Sequence, residues 1–112
     1  MSRGEAAEAL AAAFLEARGL KIIARNYRCK FGEIDLVARS GGTMVFVEVR
    51  ARKSNSFGGA AESITAAKRK KVLAAARHYL ASQRIDCACR FDVVLLMGEP
   101  PQIEWIRDAF GE

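Results

Sequence analysis

Two segments in which apolar and polar residues alternate lie on either side of the glycine pair Gly41-Gly42. The first runs from Glu33 to Arg39 and the second from Thr43 to Arg52. A period of two residues is typical of a β-strand, because successive side chains point to opposite faces of the sheet. A glycine pair between two such strands favours a tight turn. The sequence therefore predicts an antiparallel hairpin at this point.

The alternation also assigns side chains to the two faces of each strand. One predicted face of the first strand carries Ile34, Leu36 and Ala38, and the other carries Glu33, Asp35 and Val37. One predicted face of the second strand carries Val45, Val47 and Val49, and the other carries Phe46, Glu48 and Arg50. Counting outward from the turn places Asp35 and Glu48 at comparable distances from it. These two carboxylates are therefore predicted to be cross-strand neighbours.

Helical patterns occur before and after the hairpin. Residues Ser2 to Arg18 are rich in Ala, Leu and Glu, which favour helices, and Gly19 is expected to end that helix. A loop is predicted at Ser54–Gly59 from its Ser, Asn and Gly content. A second helical pattern follows from about Glu62 to Ser82.

Further strand patterns complete the order of elements. Leu20–Cys29 predicts a first strand, and the nearly continuous apolar run Arg90–Met97 predicts a strand buried on both faces. Ile103–Ile106 is a candidate for one further short strand. The order αβββαβ contains a strand–helix–strand unit, which favours a parallel pair. We therefore expect a single α/β domain over residues 1–112, with a mixed central sheet and a helix packed on each face.

Asp35 and Glu48 carry the most informative chemistry. Neighbouring carboxylates repel each other unless a cation, a shared proton or a salt bridge compensates. Mg²⁺ is a natural compensator, since it often uses one or two protein carboxylates together with water and phosphate oxygens. Arg50 shares the face of Glu48 and could hold a phosphate. The alternative is a solvated sheet face with cross-strand ion pairs, and the spacing alone leaves both interpretations open.

The charge of the chain bears on its partners. Its formal net charge is +5, which favours polyanions such as nucleic acid. The basic residues predicted to contact nucleic acid are Arg28, Lys30, Arg52, Lys53, Lys68, Arg69 and Lys71. For the run Lys68–Lys71 the alternative is a solvated helical turn, because four consecutive residues cannot all face one ligand.

Cysteine usage and hydropathy bear on the compartment. The cysteines Cys29, Cys87 and Cys89 are odd in number and sparse, as is typical of a reducing compartment. Their spacing relative to His78 matches no usual zinc pattern, so they are interpreted as ordinary thiols. No apolar run approaches the length of a membrane span. The expected location is the cytoplasm, with no membrane partner.

The two central segments closely resemble the bacterial YraN-like proteins. They are Gly32–Ala38, with the sequence GEIDLVA, and Val45–Arg52, with the sequence VFVEVRAR. The other positions that fit the family are Glu8, Ala11, Leu15, Gly19, Asn26–Arg28, Phe57-Gly58, Lys68 and Arg90–Val94. That family is distantly similar to archaeal Holliday-junction resolvases in the PD-(D/E)XK nuclease superfamily. The resemblance covers nearly the whole chain and implies a restriction-endonuclease-like fold.

The resemblance also implies roles for individual residues. Asp35 and Glu48 would ligate Mg²⁺ or Mn²⁺, and Glu8 would be an acidic partner borne on the first helix. From spacing alone, Glu8 is otherwise a solvated helix charge. Arg50 stands where the superfamily usually has lysine. Arginine can stabilise a charged phosphate, but it stays charged and cannot act as a general base.

The function expected from these residues is a Mg²⁺- or Mn²⁺-dependent DNA endonuclease. Branched DNA is the substrate class that the resemblance suggests, and symmetrical cutting of two strands is compatible with a homodimer. Because of Arg50, a non-catalytic nucleic-acid-binding module that retains the fold stays open as an alternative. An interaction protein whose acidic cluster is purely structural is the third interpretation.

Overall fold

The computed structural model describes residues 3–52 and 64–111, which form two helices and five strands. The elements in chain order are α1 (Arg3–Ala17), β1 (Lys21–Cys29), β2 (Gly32–Ser40), β3 (Thr43–Arg52), α2 (Ala66–Ser82), β4 (Cys89–Met97) and β5 (Gln102–Phe110). The predicted α/β class and order of elements are confirmed. The predicted loop Ser54–Gly59 and the predicted helix starts at Ser2 and Glu62 lie outside the described residues.

The strands form one mixed sheet in the order β1-β2-β3-β4-β5. β3 and β4 are parallel, and the other neighbouring pairs are antiparallel. β2 and β3 are paired up to Ser40 and Thr43, the residues on either side of the turn, which confirms the predicted hairpin. α2 lies between β3 and β4 in the chain and forms the crossover that a parallel pair requires.

Each face of the sheet is covered by one helix. Ala11 and Leu15 of α1 pack with Leu36 and Val47 in one apolar cluster. A second cluster on the opposite face contains residues of α2 and the sheet, among them Val72, Ala75, Tyr79, Phe46 and Phe91. β4 contributes to both clusters, which confirms the prediction that this strand is buried on both faces. No helix among the described residues is long and apolar enough to cross a membrane.

The ends of both helices follow local capping chemistry. Gly19, with φ +94°, ends α1, and the Leu20 N–H donates to the Leu15 carbonyl at 3.1 Å. Thr65 caps α2, because its hydroxyl accepts the Lys68 N–H at 3.1 Å. The prediction of helix before Thr65 is therefore wrong at Ile64 and Thr65, which the structure describes as non-helical.

Two further predictions need correction. β5 extends from Gln102 to Phe110 rather than over four residues. Its pattern is irregular because Asp108 has a φ of +52° and the β4–β5 register shifts between Phe91 and Val93. Ile34 was expected on the face of Leu36 but belongs to the opposite cluster. The β2–β3 pairs run only from Ser40–Thr43 to Leu36–Val47, so strict alternation fails where this pairing ends.

Candidate functional site

A cavity of about 510 Å³ opens where β2 and β3 stop pairing. Residues of α1, β2, β3 and α2 line it. Its charged lining residues are Glu8, Glu33, Asp35, Arg50 and Lys68. The cavity therefore combines acidic groups from α1 and β2 with cations from β3 and α2, and we call it the carboxylate cavity.

Asp35 and Glu48 meet at this point, and each carboxylate accepts a hydrogen bond from a backbone N–H of the other's strand. The Asp35 N–H donates to Glu48 Oε2 at 3.3 Å, and the Val49 N–H donates to Asp35 Oδ2 at 2.8 Å. These side-chain acceptors stand one step beyond the last backbone pair, Leu36–Val47. The predicted cross-strand proximity of the two carboxylates is confirmed, and each is held by the neighbouring strand.

Burial and nearby charges perturb both acids. Glu48 is only 1% exposed. Burial raises its pKa to about 7, and the neighbouring Asp35 charge adds to this, against the opposing effects of Lys68 and Arg50. Burial also raises the pKa of Asp35, partly offset by the hydrogen bond from the Val49 N–H. At neutral pH the pair therefore holds less negative charge than two ordinary carboxylates would.

Lys68, which was predicted to contact nucleic acid, lies inside the site and lines the carboxylate cavity. Its Nζ is 3.5 Å from Glu48 Oε1, and its side chain is 30% exposed. Lys68 is four residues before the buried Val72 and so lies on the sheet-facing side of α2. That helical phase was readable from the sequence, which predicted a nucleic-acid contact for Lys68 and left a solvated helical turn open as the alternative. Lys68 therefore forms an ion pair with Glu48 of the carboxylate pair.

Arg50 approaches the carboxylates from β3. It lines the carboxylate cavity, and its positive charge lowers the pKa of both Asp35 and Glu48. Its buried Nε has no hydrogen-bond partner among the described residues. A buried donor without an acceptor is unfavourable, so an anion that enters the cavity would gain a ready partner.

Glu8 reaches the site from α1, as the resemblance implied. It lines the carboxylate cavity together with Asp35. Burial raises the pKa of Glu8, a hydrogen bond with Asn26 lowers it, and the nearby Asp35 raises it. Asn26 was not predicted as a site residue, and its φ of +51° marks an irregular position in β1. The third acidic group is thus held beside the central pair by a neighbouring strand.

The other predicted basic residues divide into two groups. Arg28 and Lys71 line a second cavity, of about 370 Å³, which also includes Lys68. Lys30 lies in the adjoining β1–β2 turn. Arg69 and Arg52 are elsewhere: Arg69 lies over the Phe110 ring at 5.8 Å, and Arg52 lines a different cavity beside Leu10. Lys53 lies outside the described residues.

The donor set suits a hard divalent cation whose coordination is completed by a substrate. No group of three or more His, Cys, Asp or Glu that could hold a metal ion occurs within residues 3–52 and 64–111. Asp35 nevertheless lines the cavity, and the buried Glu48 lies beside it, with its Oε2 3.3 Å from the Asp35 backbone nitrogen. Mg²⁺ commonly binds through one or two protein carboxylates, with the remaining ligands from water and substrate phosphate. Cation binding would also offset the Asp35 charge, which raises the pKa of Glu48.

Comparison with known proteins finds sequence similarity to one family over most of the chain. The model of a family described as "Uncharacterised protein family UPF0102" matches residues 7–96. A UPF0102 protein of Nitrosomonas europaea is 55% identical over 112 residues, covering 99% of this chain and 95% of the relative. A UPF0102 protein of Nitrosospira multiformis is 57% identical over 109 residues, which cover 96% of this chain and 92% of that relative. A UPF0102 protein of Ralstonia nicotianae is 58% identical over 113 residues, which cover 96% of this chain and 85% of that relative.

Proposed function

The chain belongs to the UPF0102 family, the YraN-like proteins, and we propose that it is a metal-dependent DNA endonuclease. The observation that carries the proposal is the Asp35–Glu48 pair at the end of the β2–β3 ladder. The two carboxylates repel each other in the free protein, and a bound cation would relieve that repulsion. The proposal includes a restriction-endonuclease-like fold, since the acids stand on neighbouring strands in the order that the resemblance implies.

Asp35 and Glu48 are the residues that would hold Mg²⁺ or Mn²⁺. When bound, such an ion neutralises charge on a phosphodiester and favours the ionisation of water. Glu8, whose pKa is raised by burial beside Asp35, would support the pair from α1. The carboxylate cavity is open enough for a backbone phosphate to enter, at about 510 Å³.

The two cations of the cavity would act on the phosphate. Arg50 offers a planar guanidinium with an unpartnered Nε, and Lys68 offers an ammonium group beside Glu48. Charged donors placed where negative charge increases stabilise the transition state of phosphoryl transfer. The site therefore contains a lysine, Lys68 of α2, although residue 50 on β3 is an arginine.

A second candidate function is a nucleic-acid-binding module without catalysis. The observation that favours it is Arg50, which stays charged and cannot accept a proton from water. This candidate predicts binding that weakens steeply with salt and no turnover in any metal. Branched DNA is the substrate class to test first for both candidate functions.

Single-turnover cleavage of labelled DNA separates the two. The substrates are a four-way junction, a flap, a duplex and a single strand, each with Mg²⁺, Mn²⁺ or EDTA. We expect metal-dependent cutting that falls at least about 100-fold in Glu48→Gln, since such a change removes a ligand and its charge. Glu104→Gln, at an exposed position of β5, is the matched control and should cut normally. Cutting that survives Glu48→Gln would show that the activity lies elsewhere.

A further inference from the structure

The second cavity adjoins the carboxylate cavity and shares Glu33 and Lys68 with it. Its basic lining residues are Arg28, Lys68 and Lys71. Glu33 is its acidic lining residue and forms an exposed ion pair with Arg28, whose Nε lies 3.3 Å from Glu33 Oε2. The two cavities therefore form a continuous path along which positive charge increases away from the carboxylates.

The β1–β2 turn borders this path and is packed tightly against α2. A Cβ added at Gly32 would lie 3.1 Å from Lys71 Cβ and 3.2 Å from the Lys71 carbonyl oxygen. Gly32 also has a φ of +153°. Only glycine fits this approach without displacing the helix backbone. The turn is consequently fixed beside the second cavity.

This turn presents an aromatic ring to solvent. Phe31 is 45% exposed, and Lys30 Nζ lies 5.2 Å from its ring centroid. One side of Phe31 contacts the His78 ring, with centroids 5.8 Å apart, and His78 is hydrogen-bonded to Tyr27. From Tyr27, ring contacts continue through Tyr79 to Phe46 in the core. The exposed ring is thus held in place by a row of rings that runs from the half-buried His78 and Tyr27 to the buried Tyr79 and Phe46.

Exposed aromatic rings combined with cations along one groove are the features that bind single-stranded nucleic acid. Bases of a duplex are already stacked and offer no free face, whereas an unpaired base can stack on an exposed ring. Lys30 beside the ring and Lys71 in the cavity are positioned to contact the phosphates that flank such a base.

We propose that Phe31, Lys30 and Lys71 bind an unpaired stretch of the DNA strand whose neighbouring phosphate enters the carboxylate cavity. The substrate class is DNA that carries a single-stranded segment beside the bond to be cut. This inference rests on the proposed function and deepens it, because it names the substrate feature that the site would select.

Equilibrium binding in EDTA tests the inference without cleavage. The probe is a short single strand that contains 2-aminopurine, compared with the same sequence as a complete duplex. Phe31→Leu keeps an apolar side chain but removes the stacking ring, and we expect it to weaken single-strand binding roughly 5- to 100-fold. Duplex binding should change little, and the quenching of 2-aminopurine should be lost. Phe31→Trp should restore both.

Controls separate stacking from apolar contact and from charge. Leu10→Ala changes another exposed apolar side chain, 46% exposed on α1, and should leave binding unchanged. Lys71→Gln should reduce the dependence of log affinity on log salt by about 0.7 for the single strand. Phe31→Leu that binds and quenches the single strand like the unmutated protein would overturn this inference and leave the nuclease proposal standing. An unmutated protein that binds no DNA at low salt would overturn both.

Discussion

Acidic side chains are buried at two places in this sheet, and their surroundings differ. Asp92 on β4 is fully buried, and its carboxylate accepts hydrogen bonds from Arg90 Nε at 3.1 and 3.2 Å, Trp105 Nε1 at 2.9 Å and the Asp108 N–H at 2.9 Å. Glu48 is equally buried but has another carboxylate as its neighbour and Lys68 at 3.5 Å.

The difference shows that burial of an acid does not by itself indicate function. Both oxygens of Asp92 are satisfied by donors from β4 and β5, so the residue ties the two strands together. At the Asp35–Glu48 pair, burial raises the pKa of both groups, and the Asp35 charge raises the pKa of Glu48 further. A carboxylate cluster whose charge the protein leaves incompletely balanced is the better candidate for binding a cation.

The largest expected effect is the loss of stability when Asp92 is removed. Asp92→Ala leaves the Arg90 guanidinium, the Trp105 indole N–H and the Asp108 N–H without their acceptor. We expect the free energy of unfolding to fall by about 3–5 kcal/mol, as for other broken buried ion pairs. Urea denaturation measures it, with Asp86→Ala, at an exposed position, as the control. A loss below about 1 kcal/mol would remove the structural role assigned to Asp92.

The two regions also differ in how far the sequence predicts them. The Asp35–Glu48 pair follows from alternation and a glycine turn, because register in a short hairpin is fixed locally. Asp92 instead lies in an apolar run, and its partners Trp105 and Asp108 come from β5. The sequence pattern predicted only a short β5, since the left-handed backbone at Asp108 interrupts the alternation.

Lys68 and Phe31 illustrate the same limit at the site. Lys68 shares the helical phase of Val72 and Tyr79, so its orientation was available from periodicity. Its distance from Glu48 depends on how α2 packs across the sheet, which no local pattern specifies. Phe31 lies in a turn, and its place beside α2 follows from the close approach of Gly32 to Lys71.

A smaller effect is expected from pH. The pKa of Glu48 is about 7 in the folded protein against 4.5 as its ordinary value, so the folded state holds the proton more tightly than the unfolded state. The stability that this group contributes is therefore present at low pH and is lost as pH rises through about 7. Asp35 acts in the same direction. We expect the metal-free protein to lose about 2 kcal/mol between pH 5 and pH 8.

Urea denaturation across that pH range, with EDTA present, measures the loss. Glu48→Gln removes the titrating group and the repulsion, so its stability should vary much less with pH. Glu104→Gln should retain the full dependence of the unmutated protein. If Glu48→Gln and the unmutated protein lose the same stability, the raised pKa of the Glu48 carboxyl does not govern this pH range.

The smallest expected effect is stabilisation by a divalent cation at pH 8. An ion that binds only the folded protein stabilises it by about 1.4 kcal/mol at ten times its Kd. Mg²⁺ or Mn²⁺ should therefore raise the melting temperature of the unmutated protein and of Glu104→Gln, but not of Glu48→Gln. The ion would supply at Asp35 and Glu48 the positive charge that Arg90 already supplies at Asp92. Equal stabilisation of all three proteins would mean that the ion acts away from the carboxylate pair, and the contrast between the two buried acids would then have no bearing on metal binding.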